Sequence, residues 1–240
     1  MSAISTKPES AVVSPVAFSL STISAKAVLA VTGVLLIGFL LAHLAGNLLI
    51  FKGQDSLNAY AQFLKSQGPV LWVARLGLLA VFVLHLGMAL QLAKRKREAR
   101  PQKYVFEKTI QASVASRYML HTGIIILLFL LLHLAHYTLG LVGTANGSNY
   151  LELLDKEGRH DVYRMVIAGF TNPWFSVFYI VCQIALGLHL YHGASSMFQT
   201  MGINHIRHNA WLQRMGLLFA IVIAGGNIAI VLSVWLGLVK

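Results

Sequence analysis

Residues 40–49 read LLAHLAGNLL, a hydrocarbon-like run interrupted by His43. A neutral imidazole has one donor and one acceptor nitrogen, and leaving either unpaired in an apolar medium costs kilocalories. The intrusion recurs. His85 stands in VLHLGMAL, His133 and His136 in LLLHLAHY, and His189 and His192 in LGLHLYHG. Side chains of this type in such surroundings can hydrogen-bond a neighbouring helix, relay protons, or ligate a metal through a ring nitrogen.

The elements that must hold these histidines follow from composition. Of 240 residues, 57% are hydrophobic and only 11% charged, against ~25% in soluble domains. The chain therefore reads as an all-α membrane protein. Five apolar windows reach the ~20 residues needed to cross a bilayer: 26–50, 69–93, 118–142, 173–197 and 212–237. Each is expected to be helical, because a lone strand would leave its backbone unpaired in lipid. Residues 1–25, rich in Ser, Ala and Val, read as a tail preceding a membrane domain over 26–240. They lack the compact apolar core and small-residue cleavage site of a signal peptide. Cys182 is the single cysteine, which excludes an internal disulfide, a cysteine-ligated iron–sulfur cluster and covalent c-type haem.

Each of the first four spans carries a deep histidine, and the fifth carries none. At ~1.5 Å rise per residue, His43, His85, His133 and His189 sit ~5–8 Å beyond their span centres, each toward its own C-terminal end. Consecutive spans run in opposite directions. His43 and His133 therefore share one depth and His85 and His189 another, roughly 10–15 Å away. Facing imidazoles inside a four-helix bundle suit haem iron with two axial histidines. Zinc fits less well, since no carboxylate or thiolate is near to complete a tetrahedral set. For any single histidine, a plain hydrogen bond between helices is the competing reading. Depth does not separate His133 from His136. His136 and His192 each follow a candidate ligand by three residues on nearly the same face. As non-ligands, they suit a propionate, a quinone or a structural hydrogen bond.

Loop charge gives the expected orientation. One side holds Lys7, Lys26, Lys94, Arg95, Lys96, Arg97, Arg100, Lys103, Lys108, Arg117, Arg207 and Arg214 against Glu9, Glu98 and Glu107. On the other, Lys52, Lys65, Lys156, Arg159 and Arg164 are balanced by Asp55, Glu152, Asp155, Glu157 and Asp161. The positive-inside rule then puts the N-terminus in the cytoplasm and the C-terminus outside. KRKREAR (94–100) is a topology anchor or a docking surface. The outer loops, 55–66 and 149–170, mix apolar and charged residues at helical spacing, as short interfacial helices do. Asn172-Pro173 should break the chain before the fourth span.

GVLLIGFLLAHLAGN, VLHLGMAL, TGIIILLFLLLH and FYIVCQIALGLHLYHGASSMFQTMGI together resemble the five-helix, di-haem cytochrome b anchor of succinate:quinone oxidoreductases and fumarate reductases, over about residues 20–240. The resemblance implies two b haems, the outer on His43 and His133 and the inner on His85 and His189. Gly123, ten residues before His133, favours His133 over His136 on that pattern. It also implies flavoprotein and iron–sulfur partner subunits on the cytoplasmic side, which carry the dicarboxylate chemistry, and menaquinone or ubiquinone as the electron partner. Some family members carry a glutamate two residues before the fourth ligand; here that residue is Gly187.

Secondary candidates follow. Arg75, inside the second span, is expected to pair with an outer-haem propionate or to snorkel. Lys26 and Arg117 suit inner propionates or helix anchoring. Asn47, four residues after His43, faces the same side. An inner quinone site would draw on Ser21, Ser24, Lys26, Arg117 or His121, and an outer one on the 55–66 loop. Gly33, Gly38, Gly77, Gly87, Gly123 and Gly187 read as helix packing. A cytochrome b of hydrogenase or formate dehydrogenase type is an alternative, as is a small transporter with a histidine relay; the latter calls for acidic partners inside the spans.

Overall fold

The computed structural model describes residues 20–99, 113–203 and 205–240. Most of the tail, together with Arg100, Lys103, Glu107 and Lys108, lies outside these. Among the described residues, five helical stretches are long and apolar enough to cross a membrane: Thr22–Lys52, Pro69–Glu98, Met119–Thr138, Pro173–Thr200 and Asn209–Trp235. The protein thus has the character of an integral membrane protein.

Local chemistry sets the boundaries. Helix α1 (Thr22–Asn47) starts where the Ser21 hydroxyl accepts from the Ser24 amide, so the first span's helix begins before residue 26. It tightens into a 3₁₀ turn over Leu48–Lys52 and stops at Gly53, whose φ of 97° favours glycine. Helix α2 (Gln54–Ser66) is the amphipathic helix expected in the first outer loop. Pro69 opens α3 (Pro69–Glu98), which runs five residues past the expected end and carries Lys94 to Arg97 on its last turns. A short α4 (Val114–Arg117) precedes α5 (Met119–His133), which widens into a π turn over Leu134–Thr138. Asn172 caps α7 (Pro173–Thr200) through the Trp174 amide with Pro173 in its first turn, as Asn172-Pro173 suggested. The last span comprises α8 (Ile206–Ala220), a π turn (Ile221–Gly225) and α9 (Gly226–Trp235).

The loop between the third and fourth spans corrects an expectation. Only Val162–Thr171 (α6) is a full α-helix. The preceding residues form a tight hairpin, β1 (Thr144–Ala145) and β2 (Ser148–Asn149), followed by a 3₁₀ turn (Tyr150–Glu152) and a loop. Asn146 and Gly147, at φ 51° and 82°, favour a hairpin turn over a helix.

Packing places α3 on α1, α1 on α7, and α7 on α5, with α8 along α7. Helices α1 and α5 are therefore diagonal, as are α3 and α7. One apolar core, Ala30, Ile37, Leu186, Leu190, Ala194 and Ile223 among its members, joins α1, α7 and the fifth span. A second runs from Leu44 through Tyr179 to Phe170 and Ile230, seating α6 and the first outer loop on the bundle. Gly216 lets α8 meet the Tyr191 carbonyl, where a Cβ would stand 2.5 Å away. Helix α3 buries none of its residues fully.

Candidate functional site

Both histidine pairings expected from depth occur across the diagonals. The rings of His43 and His133 lie 5.9 Å apart, with planes at 89°. His85 and His189 lie within electrostatic reach of each other. Metal–imidazole bonds of ~2.0–2.1 Å, as known for zinc, would put two in-line rings about 6 Å apart by centroid. An ordinary edge-to-face ring pair spans the same range. The decisive detail lies at the other layer.

Thr32 and Thr122 are buried and do the same thing on different helices. Thr32 Oγ1 contacts His85 Nδ1 at 3.1 Å and donates to the carbonyls of Val28 (2.8 Å) and Leu29 (3.1 Å). Thr122 Oγ1 contacts His189 Nδ1 at 3.1 Å and donates to Tyr118 (3.2 Å) and Met119 (3.0 Å). A hydroxyl has one proton, and two backbone carbonyls stand ready to take it. With the proton there, the oxygen accepts from Nδ1–H, and Nε2 keeps its lone pair for a ligand. The adjacent glycines meet the same rings: a Cβ at Gly33 would stand 3.6 Å from His85 Cε1, and one at Gly123 3.7 Å from His189 Cε1. Alanine would touch the imidazole, and anything larger would press on it.

The sequence reading missed this, although the signal is present. Residues 32–45 read TGVLLIGFLLAHLA and residues 122–135 read TGIIILLFLLLHLA. Both fit Thr-Gly, five residues, Phe-Leu-Leu, one residue, His-Leu-Ala. The repeat maps onto contacts. Phe39 stacks on His43 (5.4 Å, 19°) and Phe129 lies against His133 (5.6 Å, 32°). Threonine and histidine are eleven residues apart in each copy. That is about three turns, so both point to nearly the same side, ~16 Å apart along the helix. The two layers are thus separated by slightly more than the span centres suggested.

The other candidates fall into place around this frame. His136 is fully buried in a box of Tyr137, Phe175, Tyr150 and Tyr179. The Tyr179 hydroxyl bridges His136 Nδ1 (3.0 Å) and His133 Nδ1 (3.4 Å). His136 Nε2 has no partner among the described residues. Of the two histidines that depth could not separate, His133 is the one facing His43. His192 is half-buried, and its carbonyl accepts from Ser195. Asn47 is half-buried. Arg75 is exposed and lies over the Trp72 ring at 5.2 Å. Lys26, Arg117, His121 and Ser24 are exposed; His121 lies beside Tyr118, and Ser24 bonds Ser21.

Beyond the His43–His133 end, an ionic clasp joins α2 to the loop between the third and fourth spans. Asp161, nearly fully buried, accepts from Gln54 (2.8 Å), Asn58 (3.0 Å) and the Arg164 amide (3.1 Å). Arg159 pairs with Asp155, Asp55 and Glu157. Its guanidinium is raised above its ordinary value, chiefly by the Asp55 hydrogen bond. Burial lifts the Asp155 carboxyl, but hydrogen bonds from Arg159, Asn58 and the Glu157 amide outweigh it and hold the group at about 2. Burial pushes His160 below the usual histidine range.

No family model matches this sequence, and comparison with curated proteins and with solved structures returns no match. Among the described residues, no three His, Cys, Asp or Glu side chains converge as a metal-holding group. The donors on offer are therefore paired imidazoles, two of the four with a threonine hydroxyl at Nδ1 and a glycine beside the ring. Such a donor set fits a large apolar metal macrocycle better than a tetrahedral ion.

Proposed function

We propose that this chain is a membrane-embedded electron carrier holding two b-type haems, the cytochrome b anchor of a succinate:quinone oxidoreductase or fumarate reductase. His43 and His133 would hold the outer haem, His85 and His189 the inner one. When bound, haem iron with both axial positions filled supplies one-electron transfer without an open site for oxygen. The chain's own residues supply the rest. Four helices fix the imidazoles at two depths. Thr32 and Thr122 keep the Nε2 lone pairs of His85 and His189 available. Gly33 and Gly123 leave room beside those rings. The apolar bundle keeps water away.

The observation that carries the reading is the duplicated Thr-Gly…Phe…His element, whose two copies each face both layers. Its parts make sense together as support for two ligand pairs and have no evident use as helix glue alone. Quinone as the electron partner, the flavoprotein and iron–sulfur subunits, and the cytoplasmic placement of the basic loops rest on the family resemblance and on loop charge. A histidine relay for transport would need acidic partners; the described spans hold one carboxylate, Glu98, exposed at the end of α3 and paired with Lys94.

Pyridine haemochrome quantitation on the purified complex tests the proposal. The parent should hold two haems per chain. Replacing His43, His85, His133 or His189 by alanine should remove at least one, and His136→Ala should retain both. A haem-free parent defeats the proposal. Co-purification of a flavin-bearing subunit separates it from a hydrogenase- or formate dehydrogenase-type cytochrome.

A further inference from the structure

We infer that Thr32 and Thr122 are positioning residues that fix the tautomer and basicity of His85 and His189, and so set the reduction potential of that haem layer independently of the other. This rests on the di-haem reading.

The geometry is duplicated. Each threonine is buried, stands one residue before a glycine that faces the same imidazole, and holds Nδ1 at 3.1 Å. Each has two carbonyls one turn back within reach of its only proton, an arrangement that leaves its oxygen to accept from Nδ1–H. A fixed acceptor on Nδ1–H does two things to a ligating imidazole. It holds the ring's rotation and tautomer, and it makes Nε2 more basic. A more basic axial ligand favours oxidised iron and lowers the potential.

The other layer is built differently. His133 Nδ1 meets the Tyr179 hydroxyl at 3.4 Å, and that phenol is shared with His136. Phe39 stacks on His43. A change at Thr32 or Thr122 therefore reaches His85 or His189 without touching the partners of His43 and His133. The eleven-residue offset is what allows this: one helix ligates at one depth and orients a ligand at the other, about three turns away.

The test is potentiometric titration and low-spin ferric EPR of the intact complex, with haem counted in every sample. Thr32→Val and Thr122→Val keep shape and remove the acceptor. Each should raise one haem midpoint and leave the other unchanged. A three- to tenfold shift in the oxidised-to-reduced ratio is expected, tenfold being about 59 mV for one electron. The double variant should shift the same haem further. Thr32→Ser and Thr122→Ser, which retain the hydroxyl, should restore the parent midpoint and EPR signal. Loss of one haem from a valine variant, with retention in the serine variant, also supports the inference, since an unheld imidazole ligates poorly. Two haems with both midpoints unchanged in the valine variants overturn it. So do equal shifts of both haems, or losses that serine does not repair. A parent with no haem defeats the functional reading itself, a result distinct from two haems that ignore the threonines.

Discussion

The clasp over the His43–His133 end should open when one amide is removed. Asn58 is fully buried on α2. Its Nδ2 donates to Asp161 (3.0 Å) and Asp155 (3.1 Å), and its Oδ1 accepts from the Tyr163 amide (3.0 Å). Asn58→Leu keeps the volume and deletes all three bonds. The Tyr163 amide loses its side-chain acceptor, at a cost of ~1–3 kcal/mol, and the bond to the Asp161 carboxylate is worth ~1.5–3 kcal/mol. Asp161 keeps its bonds from Gln54 and the Arg164 amide. Burying leucine returns ~1.5–3 kcal/mol. The net loss is ~1–3 kcal/mol, or roughly a 5- to 150-fold rise in opening. Amide hydrogen exchange in bilayer discs should show that acceleration across 153–171, with the five spans unchanged. Gln54→Met, which removes one bond, should accelerate the same segment less. Exchange over 153–171 within twofold of the parent would refute the reasoning. So would acceleration spread evenly through the spans, because then Asn58 would be holding the bundle and not the clasp.

Tyr179→Phe should leave His133 Nδ1 and His136 Nδ1 without their shared partner, costing ~1–3 kcal/mol; the temperature of haem release should fall for one haem, whose midpoint alone shifts in a redox titration. Gly169→Ala should be destabilising by ~1–3 kcal/mol through overpacking, since a Cβ there runs into the Tyr137 hydroxyl; thermal melts should show it, and Tyr137→Phe, which removes the hydroxyl, should relieve it. Acid should loosen the loop between the third and fourth spans in a defined window. Asp155 is held at about 2 against ~3.9 in an unfolded chain. Its contribution is therefore complete above about pH 5 and drains away as pH falls toward 2. His160, lowered by burial, loses stability in the same direction beginning near pH 6.5. Proteolysis of residues 153–160 should rise in both windows, and Asp155→Asn should abolish only the lower one.

What the sequence made legible is what repeats over a long range. The spans could be read because lipid demands some twenty apolar residues at a stretch. Their ends shifted where capping chemistry overrides hydropathy: Ser21 starts α1 early, and the basic turn of Lys94 to Arg97 continues α3 as helix into the polar region. The two histidine pairs were legible because depth is counted in residues and consecutive helices alternate in direction. The stretch from Ser148 to Asp161 was not, because its charged and apolar residues have helical spacing while Asn146-Gly147 turns the chain.

The choice between His133 and His136 needed three dimensions. They are one turn apart at the widening of α5 into its π turn, and only the placement of Tyr179, Phe175 and Tyr150 shows which ring is boxed in and which faces His43. The threonines are the opposite case. A helical Thr bonding its own backbone is commonplace and predicts nothing alone. Placed eleven residues before a histidine twice, next to glycine twice, it specifies two depths from one helix. A structural repeat of that kind constrains more than any of its residues do singly. If the Thr-Gly units served only to pack α1 on α3 and α5 on α7, any small residue would suffice at positions 32 and 122. An alanine at both positions would then leave the whole bundle indifferent. The hydrogen bonds to Nδ1 require instead that the hydroxyl, and nothing else of its size, be present.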